Sequence, residues 1–383
     1  MNPLQFALNL PHSLFFLAIG VLGIGFLIGF HELGHFLFCK LFKIRTPTFS
    51  IGMGPRIWHK KVGDTEFTLS ALPFGGYVEI AGSAEQFQGE QQEAYATDAG
   101  SFAPRPYYQK MLVMAGGILF NLLFVYIALS FLYFVGMPSF PLLYPLHAST
   151  HVSVVEESSP AATGGILVND QITALNSTPV TTATDIVKYI QAHPEETVNV
   201  SLQRNGTEKT VAVQLGAKET STNEKIGFLG VVFDIPRVGL LRSIQQGITA
   251  THHMIYQVAL SFKNIFAKKQ FDALGGPLMI ISQTAKSAQK GFKFFLLLLS
   301  FISVNLALLN LLPVPVMDGG QALQYTIEAL VGRPLPEKLR TYLHLGTWFL
   351  LLGLIIYLSI KDILMLCIPN FSFKNLLQLF KKN

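Results

Sequence analysis

Phe30-His31-Glu32-Leu33-Gly34-His35-Phe36 is the stretch on which the reading of this chain turns, because it sets two histidines and a carboxylate inside an apolar run. From Met1 to Cys39 the only formally charged side chain is Glu32. An ionisable group at membrane depth costs about 2.5–3.5 kcal/mol even on the mildest insertion scale, which marks it as a functional group. The pattern is His-Glu-x-x-His. On a helix its histidines stand at i and i+4, one turn apart on one face, where both rings can converge on a zinc ion. Glu32, next to the first ligand, would then reach a water held by that metal. Two other readings stay open at this point: core histidines with the glutamate paired to a distant lysine, and a bis-histidine haem.

Working outward, the chain has 383 residues, 50% hydrophobic and 13% charged, with a mean hydropathy of +0.42. That is too apolar for an ordinary soluble protein and predicts a polytopic α-helical membrane protein. Four stretches are long enough to cross a hydrocarbon core of about 30 Å: Leu14 to Leu41, Met111 to Val135, Phe292 to Leu312 and Leu345 to Ile368. The formal charge of +5 and the pI near 9.0 come from scattered Lys and Arg, partly beside apolar segments. They fit the flanks of membrane helices and a lipid surface, and argue against nucleic acid. Cys39 and Cys367 lie in or beside membrane segments, so no disulfide framework is implied. No basic region precedes the first apolar run, and the first helix is therefore expected to remain in the mature protein.

The segment between the first two spans carries Arg56, Lys60, Lys61 and Arg105 and is short enough for the positive-inside rule, which places it in the cytoplasm. Both termini and the loop after Val135 then lie outside, although Lys361, Lys381 and Lys382 fit that side poorly. Within the segment Ser50 to Pro55 and Leu72 to Val78 read as turn-rich, and Phe67 to Ala71 alternates like a strand, so short membrane-associated β-hairpins are expected. Ala84 to Phe102 reads as a polar loop with one short helix. From His151 to Leu215 the composition is that of a small β-rich domain, with strands at Val152–Val155, Val198–Leu202 and Val211–Leu215. Ser159-Pro160 starts a short helix there, a second spans Thr182 to Ala192, and Asn169-Asp170 is a turn. A strand from Ile226 to Phe233 and an amphipathic helix from Gly239 to Ala267 follow, and Gly275-Gly276-Pro277 breaks the chain. The expected divisions are 1–43, 44–110, 111–136, 151–235, 238–291, 292–368 and a C-terminal tail at 369–383.

A catalytic zinc needs a third protein ligand and an open position for water. Asp318 is the candidate: it is the only carboxylate between Asp272 and Glu328, and it follows a span broken by Pro313 and Pro315. An Asp before Gly-Gly also serves as a turn or helix cap.

Together these residues resemble the site-2 intramembrane metalloproteases, most closely the bacterial RseP and RasP type. The resemblance rests on His-Glu-x-x-His, Gly52-x-Gly-Pro55, Leu72-Pro-x-Gly-Gly-Tyr77, Gly275-Gly-Pro277 and Asn310-x-x-Pro-x-Pro-x-x-Asp-Gly319. It implies that His31, His35 and Asp318 bind Zn2+ and that Glu32 is the general base. Asn310, Pro313, Pro315 and Asn121 would contact substrate, Asn121 alternatively making a helix–helix hydrogen bond. The 151–235 region would be one extracytoplasmic PDZ domain. The implied protein is an endopeptidase of the bacterial cytoplasmic (inner) membrane, acting on single-pass transmembrane substrates already trimmed outside, such as anti-sigma factors or signal peptide remnants. Met317, where leucine is common, and Ile118, where many relatives have proline, depart from the pattern. A non-catalytic membrane adaptor presenting the PDZ domain is the competing reading, and a metal transporter is a weaker one. Oligomeric state is not legible.

Overall fold

The computed structural model describes residues 3–83, 96–138, 146–219, 225–268 and 274–367. In chain order the elements are α1 (Pro3–Leu41), β1 (Thr48–Val62), β2 (Thr65–Val78), α2 (Tyr107–Val135), β3 (Val152–Val155), α3 (Pro160–Thr163), β4 (Gln171–Leu175), β5 (Thr178–Pro179) and α4 (Ala183–Ala192). They continue with β6 (Thr197–Arg204), β7 (Thr207–Gln214), β8 (Gly216–Glu219), β9 (Lys225–Phe228), β10 (Val231–Phe233), α5 (Leu240–Lys268), α6 (Pro277–Gln289), α7 (Phe292–Asn310), α8 (Asp318–Val331) and α9 (Glu337–Cys367).

Among the described residues four helices are long and apolar enough to cross a membrane: Ser13–Leu41, Tyr107–Val135, Phe292–Asn310 and Glu337–Met365. Their boundaries differ from the sequence expectation for local reasons. The second begins at Tyr107, a turn before Met111, because Pro106 supplies the first carbonyl and loses no donor by starting a helix. The third stops at Asn310, ahead of Pro313. The fourth begins at Glu337, well before Leu345, since Lys338, Arg340 and His344 lower hydropathy without breaking the helix. Position 368 and the tail lie outside the described residues, as does 84–95 of the expected polar loop. Leu22, Phe26, Leu119, Phe349 and Leu350 are exposed while His31, Asn121, Ser303, Lys361 and Asp362 are buried. Apolar outside and polar inside is what a hydrocarbon solvent selects.

The chain divides into two compact units, Met1–Val125 with Val258–Asn383, and Tyr126–Gln257. In the first, α1 and α2 meet at Gly34 and Gly116, where a Cβ on either residue would run into the backbone of the other. Gly20 of α1 faces Ala285 of α6 in the same way. Asp362 of α9 accepts from the backbone N–H groups of Gly276 (3.1 Å) and Met279 (2.8 Å), satisfying the start of α6, and Lys361 Nζ donates to the Leu274 carbonyl (2.7 Å). Lys361 is therefore an internal tie of the helical unit and not a flanking charge, which removes its conflict with the expected sidedness.

The two stretches read as turns between short hairpins are instead parts of long strands. β1 and β2 pair antiparallel around Gly63, and Phe49, Ser50 and Ile51 have partners on both sides: Phe67, Thr68 and Leu69, and Val78, Tyr77 and Gly76. Gly52 and Gly54 hold φ near +87° and +85°, so the extra residues bulge and let the strand bend back without ending. Phe49, Val78 and Ile80 then join Cys39, Ile44, Phe102, Met114 and Tyr325 in one buried cluster.

In the second unit the four-stranded sheet runs β5-β4-β6-β7, and β3 pairs with β10 and β8 with β9. Ser159 caps α3 by accepting from Ala162 N (3.2 Å), with Pro160 at its first position. Thr182 and Asp185 form a reciprocal capping box at α4. The single strand expected at Ile226–Phe233 is two strands, split at Gly230, whose positive φ and contact with Ser159 admit no side chain. In α5, Gly247 packs directly against Ser130 of α2.

Candidate metal centre

The i and i+4 spacing puts His31 and His35 on one face of α1, both buried. Asp318 reaches them from another part of the chain. α7 ends at Asn310, Pro313 and Pro315 forbid its continuation, and a tight turn closed by Val314 N to Leu312 O (2.7 Å) and Met317 N to Val314 O (2.8 Å) starts α8 at Asp318. His31 Nε2 lies 3.4 Å from Asp318 Oδ2, His35 Nε2 3.4 Å from Oδ1, and the two Nε2 atoms 3.3 Å from each other. Among the described residues these three side chains are the group whose donor atoms can hold a metal ion, all within 4.8 Å of one another.

The surroundings hold both rings in place and leave His35 Nε2 and Asp318 Oδ2 available. His35 Nδ1 donates to the Val113 carbonyl (2.8 Å), which leaves Nε2 unprotonated in the neutral ring. His31 Nδ1 faces the Asn121 side-chain amide at 3.0 Å, and Ser303 Oγ donates to the Asn121 carbonyl (2.9 Å), tying that residue to α7. Asp318 Oδ2 is buried with no hydrogen bond. A buried carboxylate oxygen without a donor is costly, and a cation removes the cost. Two imidazole nitrogens and a carboxylate, with one side open, match the donor set of a catalytic zinc site. Gly117 makes the closeness possible, since a Cβ there would collide with His31 and His35.

The open side is a cavity of about 200 Å³ whose walls include Glu32, Val78, Asn310, Val316 and Gln321. Glu32 is half-buried beside the histidines. Asn310 stands with Nδ2 3.4 Å from His31 Nε2. Asn121 is fully buried and directed at His31, so the structure favours its internal hydrogen bond over a contact with substrate. Pro313 and Pro315 shape the turn before α8, and the residue of that turn on the cavity wall is Val316. Sequence reasoning passes over Gln321, whose Oε1 is buried without a partner. Its signal is the i+3 spacing from Asp318 on one helix face. Val78, from the end of β2, has no such signal.

The model of peptidase family M50 matches residues 19–354. A Clostridium perfringens protein provisionally named a zinc metalloprotease is 30% identical, over 91% of this chain and 98% of its own. A similarly named protein of Clostridium acetobutylicum is 30% identical, over 92% and 98%. Zinc metalloprotease RasP of Geobacillus kaustophilus is 26% identical, over 88% and 95%. Among solved structures, the PDZ domain of an SdrC-like protein from Listeria monocytogenes matches 22% of this chain and 87% of its own at 17% identity, with a TM-score of 0.20.

Proposed function

The chain belongs to peptidase family M50, and on that premise we propose that His31, His35 and Asp318 hold its zinc ion and that Glu32 is the general base. It is an intramembrane zinc metalloprotease. The observation that carries the residue assignment is the orphaned Oδ2 of Asp318, buried beside His31 Nε2, with Oδ1 facing the His35 Nε2 that the Val113 carbonyl on the other ring nitrogen leaves open.

Bound there, zinc supplies Lewis acidity for the scissile carbonyl and lowers the pKa of water toward about 7. Glu32 takes a proton from the attacking water as its oxygen bonds to the carbonyl carbon, and delivers that proton to the amide nitrogen as the C–N bond breaks. Asn310, on the cavity wall, donates to substrate backbone. Asn121 and the Val113 carbonyl keep the two imidazoles oriented. A transmembrane substrate must unwind first, because helical carbonyls are already bonded and covered. The stretch Gly76–Val78 pairs with Phe49–Ile51 on one edge and reaches the cavity at Val78, which supports strand addition of the unwound segment.

The substrates on this reading are single-pass transmembrane segments trimmed outside, cut in the bacterial cytoplasmic membrane with the hairpin in the cytoplasm. Arg56, Lys60 and Lys61 beside exposed Ile57 and Trp58 support that placement of β1. The β-rich unit is read as an extracytoplasmic PDZ domain from its Ser159-Pro-Ala-Ala start and its two capped helices, and it restricts which substrates approach. Replacing Glu32 with Gln is expected to lower cleavage of a model transmembrane substrate by about 10²–10⁴ while zinc stays stoichiometric. Retained proteolysis would overturn the assignment of Glu32 as the general base.

A further inference from the structure

The first turns of α2 and α9 and the last turn of α8 surround a second concavity, away from the zinc site. It consists of two adjoining cavities of about 230 and about 500 Å³ that share Lys110, Tyr325 and Glu328. Arg340 lines the smaller and Arg333 the larger. Among the described residues Glu328 is the only carboxylate on either wall, and its Oε1 already accepts from Arg340 Nη2 (2.8 Å) and from Leu335 N (2.9 Å). Lys110 Nζ stands over the rings of Phe102 (5.8 Å) and Tyr325 (5.4 Å) and, among the described residues, makes no ion pair within 4.0 Å. Among the described residues, three cations against one carboxylate leave two positive charges facing a cavity of ligand-binding size.

The position of this surplus restricts what can neutralise it. Lys110 sits in the first turn of a membrane span, so the cavity opens where hydrocarbon gives way to water. Beside it Leu330, Val331 and Tyr342 are exposed, at 83%, 56% and 71%. A soluble anion uses the cations and leaves these apolar groups in water. A lipid with an anionic headgroup uses both. We propose that Lys110, Arg333 and Arg340 receive the phosphate of an anionic membrane lipid whose acyl chains lie along Leu330, Val331 and Tyr342. Basic residues at the bilayer surface act on such lipids additively, and the planar guanidinium of Arg340 suits phosphate oxygens.

Native mass spectrometry of the full-length protein, released from detergent containing equal phosphatidylglycerol and phosphatidylcholine, tests this. The wild-type protein should carry phosphatidylglycerol in preference to phosphatidylcholine, and excess sn-glycerol phosphate should not displace it. Lys110→Gln combined with Arg333→Gln should lower that retention roughly thirtyfold, whereas Lys110→Arg should keep it. Unchanged zinc content in both variants serves as the control for folding. Three results would each overturn the proposal: equal retention in the double variant, no preference between the two lipids, and displacement by glycerol phosphate.

Discussion

Two buried aspartates show how differently the two units use a carboxylate. Asp170 in the β-rich unit is 1% exposed and every oxygen is partnered: Oδ1 accepts from Arg204 Nε (2.7 Å), and Oδ2 from Arg204 Nη2 (2.7 Å) and Leu167 N (2.7 Å). Asp318 in the helical unit is also largely buried, yet its Oδ2 has no donor and faces imidazole nitrogens. The same side chain thus has two jobs. Where the chain supplies all the donors, the carboxylate holds the fold; where it withholds them, the carboxylate is free for the ion that we propose it binds.

That contrast can be broken by experiment. Asp318→Asn should lower zinc affinity by more than the roughly 10–100-fold that losing a ligand's hydrogen-bond partner costs, and proteolysis should disappear with it. Metal analysis showing full zinc in this variant would remove Asp318 from the metal site. Asp170→Asn should do the reverse, leaving zinc content unchanged and costing the β-rich unit about 3 kcal/mol, since Arg204 would lose its partner. Thermal unfolding of the full chain reads this. Burial pushes the Asp170 pKa up, but the Arg204 hydrogen bonds and charge outweigh it and hold the group below its ordinary value. Its contribution is therefore present above the unfolded carboxylate pKa of about 3.9 and lost as pH falls through the lower folded value. Asn121→Ala has the smallest expected effect, roughly 10–100-fold in zinc affinity, because it frees one face of the His31 ring without removing a ligand. An unchanged affinity would mean that packing alone orients His31.

Much of the fold is legible in the order of residues along the chain. Spans stand out because about 20 apolar residues in a row have few other uses, and the cap at Ser159 and the helix from Thr182 are readable because capping chemistry is local. Sequence misleads where local signals conflict with pairing. Gly52, Gly54 and Pro55 look like the end of a strand, and only the partners on both sides of Phe49–Ile51 reveal a bulged strand that continues. Lys361 has the look of a misplaced flank, and its burial with a bond to the Leu274 carbonyl reveals an internal tie.

By itself the sequence determined the solvent, the helices that cross it, and the facing pair His31 and His35, since hydropathy and an i, i+4 repeat depend on neighbours along the chain. The tertiary structure alone decided what those histidines meet. Gly34, Gly116 and Gly117 let α2 close on α1, the Pro-broken end of α7 turns Asp318 back toward both rings, and β2 brings Val78 to the same cavity. No periodicity encodes such distances, because they are set by which backbones can approach and which buried polar atoms still need a partner.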